Sequence, residues 1–291
     1  MAGYYGNIYK LTKSFFKNVK AYKKIKQMLK NEKIDLIVGM GGYISGISIY
    51  AGINLKIKTI IHEQNSVIGT ANKLVAKKVN MFLTTFDMRK YNNNQYVVGN
   101  PRYTIALKSY NPKLKNKKHI LITSGTLGSK IVNEIGIKFL NSSESLNYFT
   151  TLITGKRYYD EVISKINKGN HYEVLSFTND MINYMNKAGI IISRSGSTTI
   201  FELLALRCVP IFIPSPNVTK NHQYYNALDI VEKGIGKLIE ESSLTLELIM
   251  NNLNNIINNY DEYIYNIDVF SQYHSSNKTV EYILSTGDEE D

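Results

Sequence analysis

Residues 192–202 have the side-chain types expected of a nucleotide-sugar site. An apolar run is followed by a loop that contains Arg194 and Gly196. The pattern predicts that a helix starts after this loop with three hydroxyl-bearing residues, Ser197, Thr198 and Thr199. The free N–H groups and positive dipole of a helix start favour a diphosphate, and Arg194 adds charge. Glu202, inside the helix, is suited to accept hydrogen bonds from both ribose hydroxyls. A capped helix with a solvated glutamate explains any one of these residues, but not the set.

A glycine-containing loop, 124–129, is a second candidate phosphate cradle. It follows a predicted strand and precedes a predicted helix that contains Asn133. Backbone N–H groups and the helix start favour an anion in such a loop. The loop lacks the Gly-Lys-Ser/Thr of a Walker motif and the full dinucleotide spacing, so ATP and NAD chemistry are disfavoured.

Gln223 follows a further predicted strand end and is a neutral reader of hydroxyl groups. The neighbouring His222 has no partner at the spacing of metal ligands, so a capping or core role is the simpler interpretation.

The N-terminal half contains a glycine turn, in which a predicted strand runs into Gly41, Gly42 and Tyr43. Ligands of parallel α/β folds bind at the carboxyl ends of strands, and glycines permit close backbone approach. A tight turn that requires positive φ explains the glycines equally well. The sequence leaves these two interpretations open.

The next predicted strand of this half ends in four polar residues that begin with His62 and Glu63 and finish with Asn65, and Asn72 follows in a helix. Such density after an apolar strand indicates a site. His62 and Glu63 are candidates for an acid/base pair, but neighbours in sequence often point apart, so pocket lining is the first interpretation. Asn65 is suited to read sugar hydroxyls.

Short apolar runs alternate with helical stretches along the whole chain, which predicts doubly wound parallel sheets. The predicted strands are 35–38, 59–61, 81–86, 96–98, 119–123, 149–153, 172–177, 189–193, 210–213 and 236–239. A break near residues 99–102 predicts a partial Rossmann-like domain at 1–101 and a complete one at 102–265. Residues 266–291 are expected to form a helix that packs back toward the first domain, with an acidic tail. The first domain is expected to be N-terminally incomplete, by roughly two βα units.

The formal charge of +11 is concentrated near the N-terminus, where residues 1–33 contain nine lysines and Glu32 as the one acid. The spacing of their apolar residues predicts a basic amphipathic helix, which suits either a sheet surface or anionic headgroups. The chain has no run of about 18 apolar residues and no nucleic-acid-binding motif. Its single cysteine, Cys208, lies in an apolar run and is expected to be a buried structural thiol.

Taken together and in order, five segments resemble the MurG family of UDP-GlcNAc transferases. They are 39–43, 62–65 with Asn72, 99–101, 194–202 and 222–227. The resemblance covers about residues 30–285. It implies an α/β GT-B fold, in which two Rossmann-like domains face each other across a cleft, and it implies no metal and no cofactor.

Residue roles follow from the same resemblance. Ser197, Thr198 and Thr199 match the diphosphate loop, Glu202 the ribose ligand, and Gln223 and Asn65 contacts to the donor sugar. Uridine diphosphate contacts are implied for Thr126, Arg102 and Thr178. Other active-site positions are matched by Arg194, Asn133, His62, Glu63, Gly41, Gly42, Tyr43 and Asn72.

The implied reaction is an inverting transfer of GlcNAc from UDP-GlcNAc to the C4 hydroxyl of lipid I, the undecaprenyl-linked MurNAc-pentapeptide, to give lipid II in peptidoglycan synthesis. A base is required near that hydroxyl, and His62 or Glu63 is the candidate. The implied location is peripheral, at the anionic cytoplasmic face of the cell membrane. The family's first glycine-rich loop has no counterpart here, so a UDP-GlcNAc-binding remnant and one subunit of a split transferase are alternatives.

Overall fold

The structure is a computed structural model that describes residues 19–271 and 276–288. The chain divides into two compact units: residues 1–98 with 277–291, and residues 99–276. The sequence-based boundary at residue 265 falls inside a helix, Tyr260–Ser271, whose Ile267 is fully buried. Each of the ten predicted strands overlaps a strand of the structure.

The first unit is built on a parallel sheet of strand order β1-β2-β3-β4. The strands are β1 Leu36–Gly39, β2 Lys58–Glu63, β3 Met81–Thr84 and β4 Gln95–Val97. The helices are α1 at residues 19–31, α2 Tyr43–Asn54, α3 Thr70–Val75 and α12 Ser276–Asp288. The part of the predicted basic helix before residue 19 lies outside the described residues.

The C-terminal helix α12 completes one face of this first sheet. Tyr282 stacks on Tyr96 of β4 with ring centroids 4.3 Å apart, and Ile283 packs against the same apolar cluster. The buried members of that cluster are Ile60, Leu83 and Val98. The helix α12 therefore contributes to the core of the unit that is formed by residues 1–98.

Replacing Tyr282 tests this contribution. Tyr282→Ala is expected to lower the free energy of unfolding of the first unit by about 1–2 kcal/mol, because it removes an aromatic stack and part of an apolar contact. Leu284→Ala is the matched control, because Leu284 lies on the same helix and is 62% exposed. Urea denaturation compares the variants, and equal losses would contradict the assigned packing.

The second unit contains six strands in the order β10-β9-β8-β5-β6-β7 within the described residues. The strands are β5 Asn116–Thr123, β6 Phe149–Ile153, β7 Tyr172–Leu175, β8 Ala188–Ser193, β9 Val209–Phe212 and β10 Lys237–Leu238. The helices are α4 Pro101–Lys108, α5 Lys130–Leu140, α6 Tyr159–Ile163, α7 Met181–Lys187, α8 Ser197–Ala205, α9 His222–Val231, α10 Leu246–Asn258 and α11 Tyr260–Ser271. All paired strands are parallel.

The order of strands in this second sheet reverses at its centre. From β5 the chain proceeds outward through β6 and β7, and then returns to place β8 on the other side of β5. The loops after β5 and β8 therefore diverge at the carboxyl edge. A crevice at such a topological switch point is where ligands bind in open α/β sheets.

A buried histidine lies in the amino-terminal half of β5. His119 is 6% exposed, its Nε2 lies 2.9 Å from Thr151 Oγ1, and that hydroxyl donates to Glu173 Oε1 at 2.8 Å. Burial lowers the pKa of His119, and the nearby Glu173 carboxylate opposes this shift only in part. The neutral imidazole is therefore the form that the folded protein favours.

This pKa shift predicts a loss of stability at acid pH. The unfolded chain takes up a proton at His119 at about pH 6.5, whereas the folded chain does so only at lower pH. As the pH falls, protonation of His119 therefore stabilises the unfolded state relative to the folded state. The free energy of unfolding is expected to decline below about pH 6.5 in the wild type and less steeply in His119→Gln. Chemical denaturation across this range tests the difference, and parallel curves would contradict it.

Within residues 19–271 and 276–288, no helix combines the length and the apolar character needed to cross a lipid bilayer.

Candidate active site

A cavity of about 500 Å³ opens at the carboxyl edge of the second sheet. The loops after β5, β6, β7 and β8 form its walls, so it occupies the switch point. Six of the residues singled out from the sequence line it: Thr126, Thr178, Arg194, Thr199, Glu202 and Gln223. These side chains are far apart in sequence, and the fold brings them to one cavity.

The helix α8 begins at this cavity and has no side-chain cap. Its N-cap residue is Gly196, so the first-turn N–H groups are not occupied by a capping side chain. Thr199 lines the cavity, Thr198 is exposed, and Ser197 is buried and accepts a hydrogen bond from Asn100 Nδ2 at 3.4 Å. The helix end can therefore receive an anion, although its three hydroxyls have different surroundings.

Two further hydroxyls at the cavity are buried and have no hydrogen-bond partner among the described residues. They are Thr123 Oγ1 at the end of β5 and Ser124 Oγ in the loop that follows. Buried hydroxyls in folded proteins normally have a partner, and its absence next to a cavity indicates a ligand position. The sequence did not single out Thr123, because it reads as an ordinary strand residue.

The loop 124–129 is held tightly by the end of β6. Gly128 has a φ of 75°, and a Cβ atom placed there would lie 2.1 Å from the carbonyl oxygen of Thr154. Asn133, which is 3% exposed, donates from Nδ2 to the same oxygen at 3.0 Å. Asn133 does not line the cavity. It contacts the same backbone oxygen that the loop packs against, and so helps to position the loop.

The carboxylate of Glu202 is already engaged by a cation. Arg102 donates from Nε to Glu202 Oε1 at 2.7 Å and reaches the same oxygen with Nη2 at 2.5 Å. The side chain of Arg102 is 44% exposed and that of Glu202 12%. Arg102 therefore does not line the cavity itself but contacts Glu202, which does.

Gln223 is oriented by two backbone contacts. Its Oε1 accepts from the Ser215 N–H at 2.9 Å, and its own carbonyl accepts from Ser195 Oγ at 2.7 Å. The Nε2 group makes no hydrogen bond within the described residues and belongs to a residue of the cavity wall. It can therefore donate to a ligand.

The side chain of Arg194 links its own loop, after β8, to three other loops of the second unit. Its guanidinium donates to the Ile213 carbonyl oxygen at 2.9 Å and to Ser129 Oγ at 2.6 Å, and Nη2 lies 2.5 Å from Glu241 Oε1. Its charge is thus balanced by Glu241, which sequence reasoning missed because the two residues are distant along the chain.

In the first unit, the carboxylate of Glu63 organises the loop that follows β2. Oε1 accepts from the N–H and from the Nδ2 of Asn65 at 3.1 and 3.4 Å, and Oε2 accepts from the Gly69 N–H and from Asn72 Nδ2 at 2.9 and 2.8 Å. Glu63 is 4% exposed. A carboxylate with four donors and little solvent access serves to position Asn65, Gly69 and Asn72.

His62 is fully buried, and its Nε2 lies 3.3 Å from Thr85 Oγ1. The two candidates for the base, His62 and Glu63, are therefore both enclosed by protein. This geometry favours a positioning role for Glu63 over direct proton abstraction.

Glu63→Gln tests the positioning role. An amide nitrogen in place of one oxygen faces N–H donors, so we expect a loss of roughly 2–3 kcal/mol in the free energy of unfolding of the first unit. Asp87→Asn makes the same chemical change at an exposed carboxylate of this unit and is expected to have little effect. Guanidinium denaturation measures both, and a stable Glu63→Gln variant would contradict the assignment.

The glycine turn after β1 adopts the backbone conformation that favours glycine. Gly41 and Gly42 have φ values of 89° and 82°, and Gly42 is the N-cap of α2. Tyr43, the first residue of α2, is 56% exposed. An uncapped helix start therefore lies at the carboxyl edge of the first sheet as well.

An apolar groove of about 550 Å³ lies beside this turn, between α1, α2 and α3. Tyr22 of α1, Tyr43 and Tyr50 of α2 and Leu74 of α3 form its walls, and Gly46 and Ala71 lie where α2 and α3 approach closely. The sequence predicted the basic α1 but not this groove, which three separate helices create.

The chain contains two parallel α/β units, and the cavity at the switch point of the second combines the uncapped start of α8 with the carboxylate of Glu202. These features define a nucleotide-sugar-binding protein of the GT-B class. The glycosyltransferase family 28 C-terminal domain matches residues 119–275, and the N-terminal domain of the same family matches residues 3–84. The chain belongs to glycosyltransferase family 28.

A named relative agrees with this family, and two solved structures agree with its fold. A Bacillus cytotoxicus protein named UDP-N-acetylglucosamine–N-acetylmuramyl-(pentapeptide) pyrophosphoryl-undecaprenol N-acetylglucosamine transferase is 34% identical over 260 residues, which cover 85% of this chain and 71% of that relative. The crystal structure of Acinetobacter baumannii MurG superposes with a TM-score of 0.77 at 24% identity, covering 93% of this chain and 79% of that one. An S. aureus MnaA–UDP co-structure superposes with a TM-score of 0.67 at 16% identity, covering 92% and 81%. The predicted family and the predicted GT-B fold class are confirmed.

Proposed function

We propose that this chain transfers N-acetylglucosamine from UDP-GlcNAc to the C4 hydroxyl of lipid I and so forms lipid II in peptidoglycan synthesis. The observation that carries the proposal is the switch-point cavity, in which a helix start and a ribose-type carboxylate meet, in a chain 34% identical to a relative named for this activity. The fold alone does not select a substrate.

The donor site explains how the UDP leaving group is stabilised. The start of α8, with Thr199 at the cavity, provides N–H groups for the diphosphate, and Glu202 accepts from the ribose hydroxyls. Thr178 lies on the wall formed after β7 and is assigned to the uracil ring, and Gln223, also on the wall, donates to the sugar. Negative charge that develops on the diphosphate as the glycosidic bond breaks thus meets preorganised dipoles.

The acceptor half rests on the first unit. The turn at Gly41 and Gly42 and the start of α2 offer N–H groups to the diphosphate of a lipid-linked sugar, and Tyr43 borders the same place. The C4 hydroxyl attacks the anomeric carbon on the face opposite UDP, and its proton must pass to a base. Glu63 acts here by positioning Asn65 and Asn72. Asn65, which is half-buried after β2, is the one that contacts a sugar, whereas Asn72 is buried and supports the loop.

The groove beside α2 and the lysines of α1 suit the surface of an anionic membrane. Lys20, Lys23, Lys24 and Lys30 are exposed on α1, and Tyr22 and Leu74 border the apolar groove. Exposed lysines on a helix that also lines an apolar groove are typical of a peripheral protein on anionic lipid. We therefore place the chain at the cytoplasmic face of the cell membrane.

Calorimetry with UDP-GlcNAc, UDP and TDP tests the donor site. We expect binding of the first two and weaker binding of TDP, which lacks the ribose 2′-hydroxyl that Glu202 accepts. If the chain binds UDP-GlcNAc but does not transfer GlcNAc to a lipid I analogue, it is a UDP-GlcNAc-binding remnant. Absence of UDP binding would remove the basis of the proposal.

A further inference from the structure

Four loops at the carboxyl edge of the second sheet meet at the guanidinium of Arg194. Arg194 follows β8, and its partners Ser129, Ile213 and Glu241 follow β5, β9 and β10. The three partner distances are 2.6, 2.9 and 2.5 Å, respectively. A planar guanidinium donates in fixed directions, so it holds these loops in one mutual geometry.

Glu241 also changes the electrostatics of the cavity. The side chains of Arg194 and Glu241 are 16% and 13% exposed, so solvent and salt screen this pair less than a surface pair. Arg194 lines the donor cavity. Glu241 therefore balances the positive charge of a residue that belongs to the cavity wall.

The hydrogen bonds of Arg194 also involve the start of α5. Ser129 is the N-cap residue of α5, and its Oγ accepts from Arg194. The orientation of Arg194 thereby influences where the loop 124–129 ends and where α5 begins. Glu241 acts on this arrangement only through Arg194, because it does not line the cavity.

We propose that Glu241 is a positioning residue of the donor site, which keeps Arg194 as a tie between loops and withholds its charge from the nucleotide. The diphosphate is then bound mainly by helix starts and hydroxyls, and UDP is held less tightly than the residues of the cavity allow. Such a site releases UDP more readily after transfer. This inference rests on the proposed function.

Glu241→Gln tests the inference, because glutamine retains an acceptor oxygen for Arg194 and removes only the charge. The Kd for UDP at low salt is expected to fall roughly three- to ten-fold, as an uncompensated charge near the diphosphate predicts. Added salt should reduce this gain. Glu241→Ala is the second variant and is expected to shift the Kd in the same direction. A merely structural role would weaken binding in both variants.

Glu240→Gln is the matched control, because it removes the same charge at an exposed neighbouring residue. Its Kd for UDP is expected to remain within about two-fold of the wild type, since an exposed charge is well screened. Calorimetry on the full chain at two salt concentrations compares all variants. Binding by Glu241→Gln that is weaker than, or equal to, that of Glu240→Gln overturns the inference. A wild-type chain that does not bind UDP overturns the proposed function, and the inference with it.

Discussion

Gly128→Ala is expected to abolish measurable binding of UDP-GlcNAc. An alanine at this position requires a φ of 75°, and its Cβ would lie 2.1 Å from the Thr154 carbonyl oxygen. Since that oxygen belongs to backbone that also accepts from Asn133, the loop 124–129 must move away from the end of β6. We expect a loss of about 3 kcal/mol or more in stability, as overlap adds to backbone strain, together with the loss of the donor site.

Gly125→Ala separates the effect of backbone strain from the effect of steric overlap with Thr154. Gly125 has a similar φ of 79°, but a Cβ atom there would meet no atom within 4 Å. Only the cost of a left-handed residue, about 1 kcal/mol, is expected. Thermal denaturation and calorimetry on both variants test the comparison. Equal effects would show that the close approach of the loop to Thr154 does not control the site.

Glu202→Ala is expected to lower kcat/KM for UDP-GlcNAc by roughly 100-fold, because two hydrogen bonds from ribose hydroxyls to a charged acceptor are lost. The fold should be retained, because Arg102, the partner left behind, is 44% exposed and can be solvated. The large effect is therefore expected in catalysis rather than in stability.

A ligand with one hydroxyl fewer identifies the contact. The wild type should bind 2′-deoxy-UDP more weakly than UDP, whereas Glu202→Ala should bind the two about equally. Calorimetry gives all four dissociation constants. Undiminished discrimination in the variant would mean that Glu202 does not contact the ribose.

The sequence was sufficient to predict the strands, because buried parallel strands such as 119–123 and 189–193 contain a short apolar run that is bounded by polar residues. It also predicted that Thr199 and Glu202 belong to a ligand site, because a strand–loop–helix pattern determines which residues begin a helix at the sheet edge; both residues line the cavity, and their contacts to a nucleotide sugar remain predictions. These inferences depend on local order along the chain.

Pairings between distant residues were beyond sequence reasoning. Nothing local indicates that Arg102 engages Glu202, or that Arg194 engages Glu241, since each pair forms only after separate loops converge. Glu63 illustrates the same limit. A carboxylate after an apolar strand suggests chemistry, but the four donors that surround it are visible only in the folded loop.

Transfer of labelled GlcNAc from UDP-GlcNAc to a lipid I analogue, measured with the full chain, tests the central claim most directly. The predicted result is a lipid-linked disaccharide with inverted, β anomeric configuration and one UDP released for each sugar transferred. A chain that binds UDP-GlcNAc but leaves the lipid I analogue unglycosylated, or that releases the label as free GlcNAc, would contradict the account.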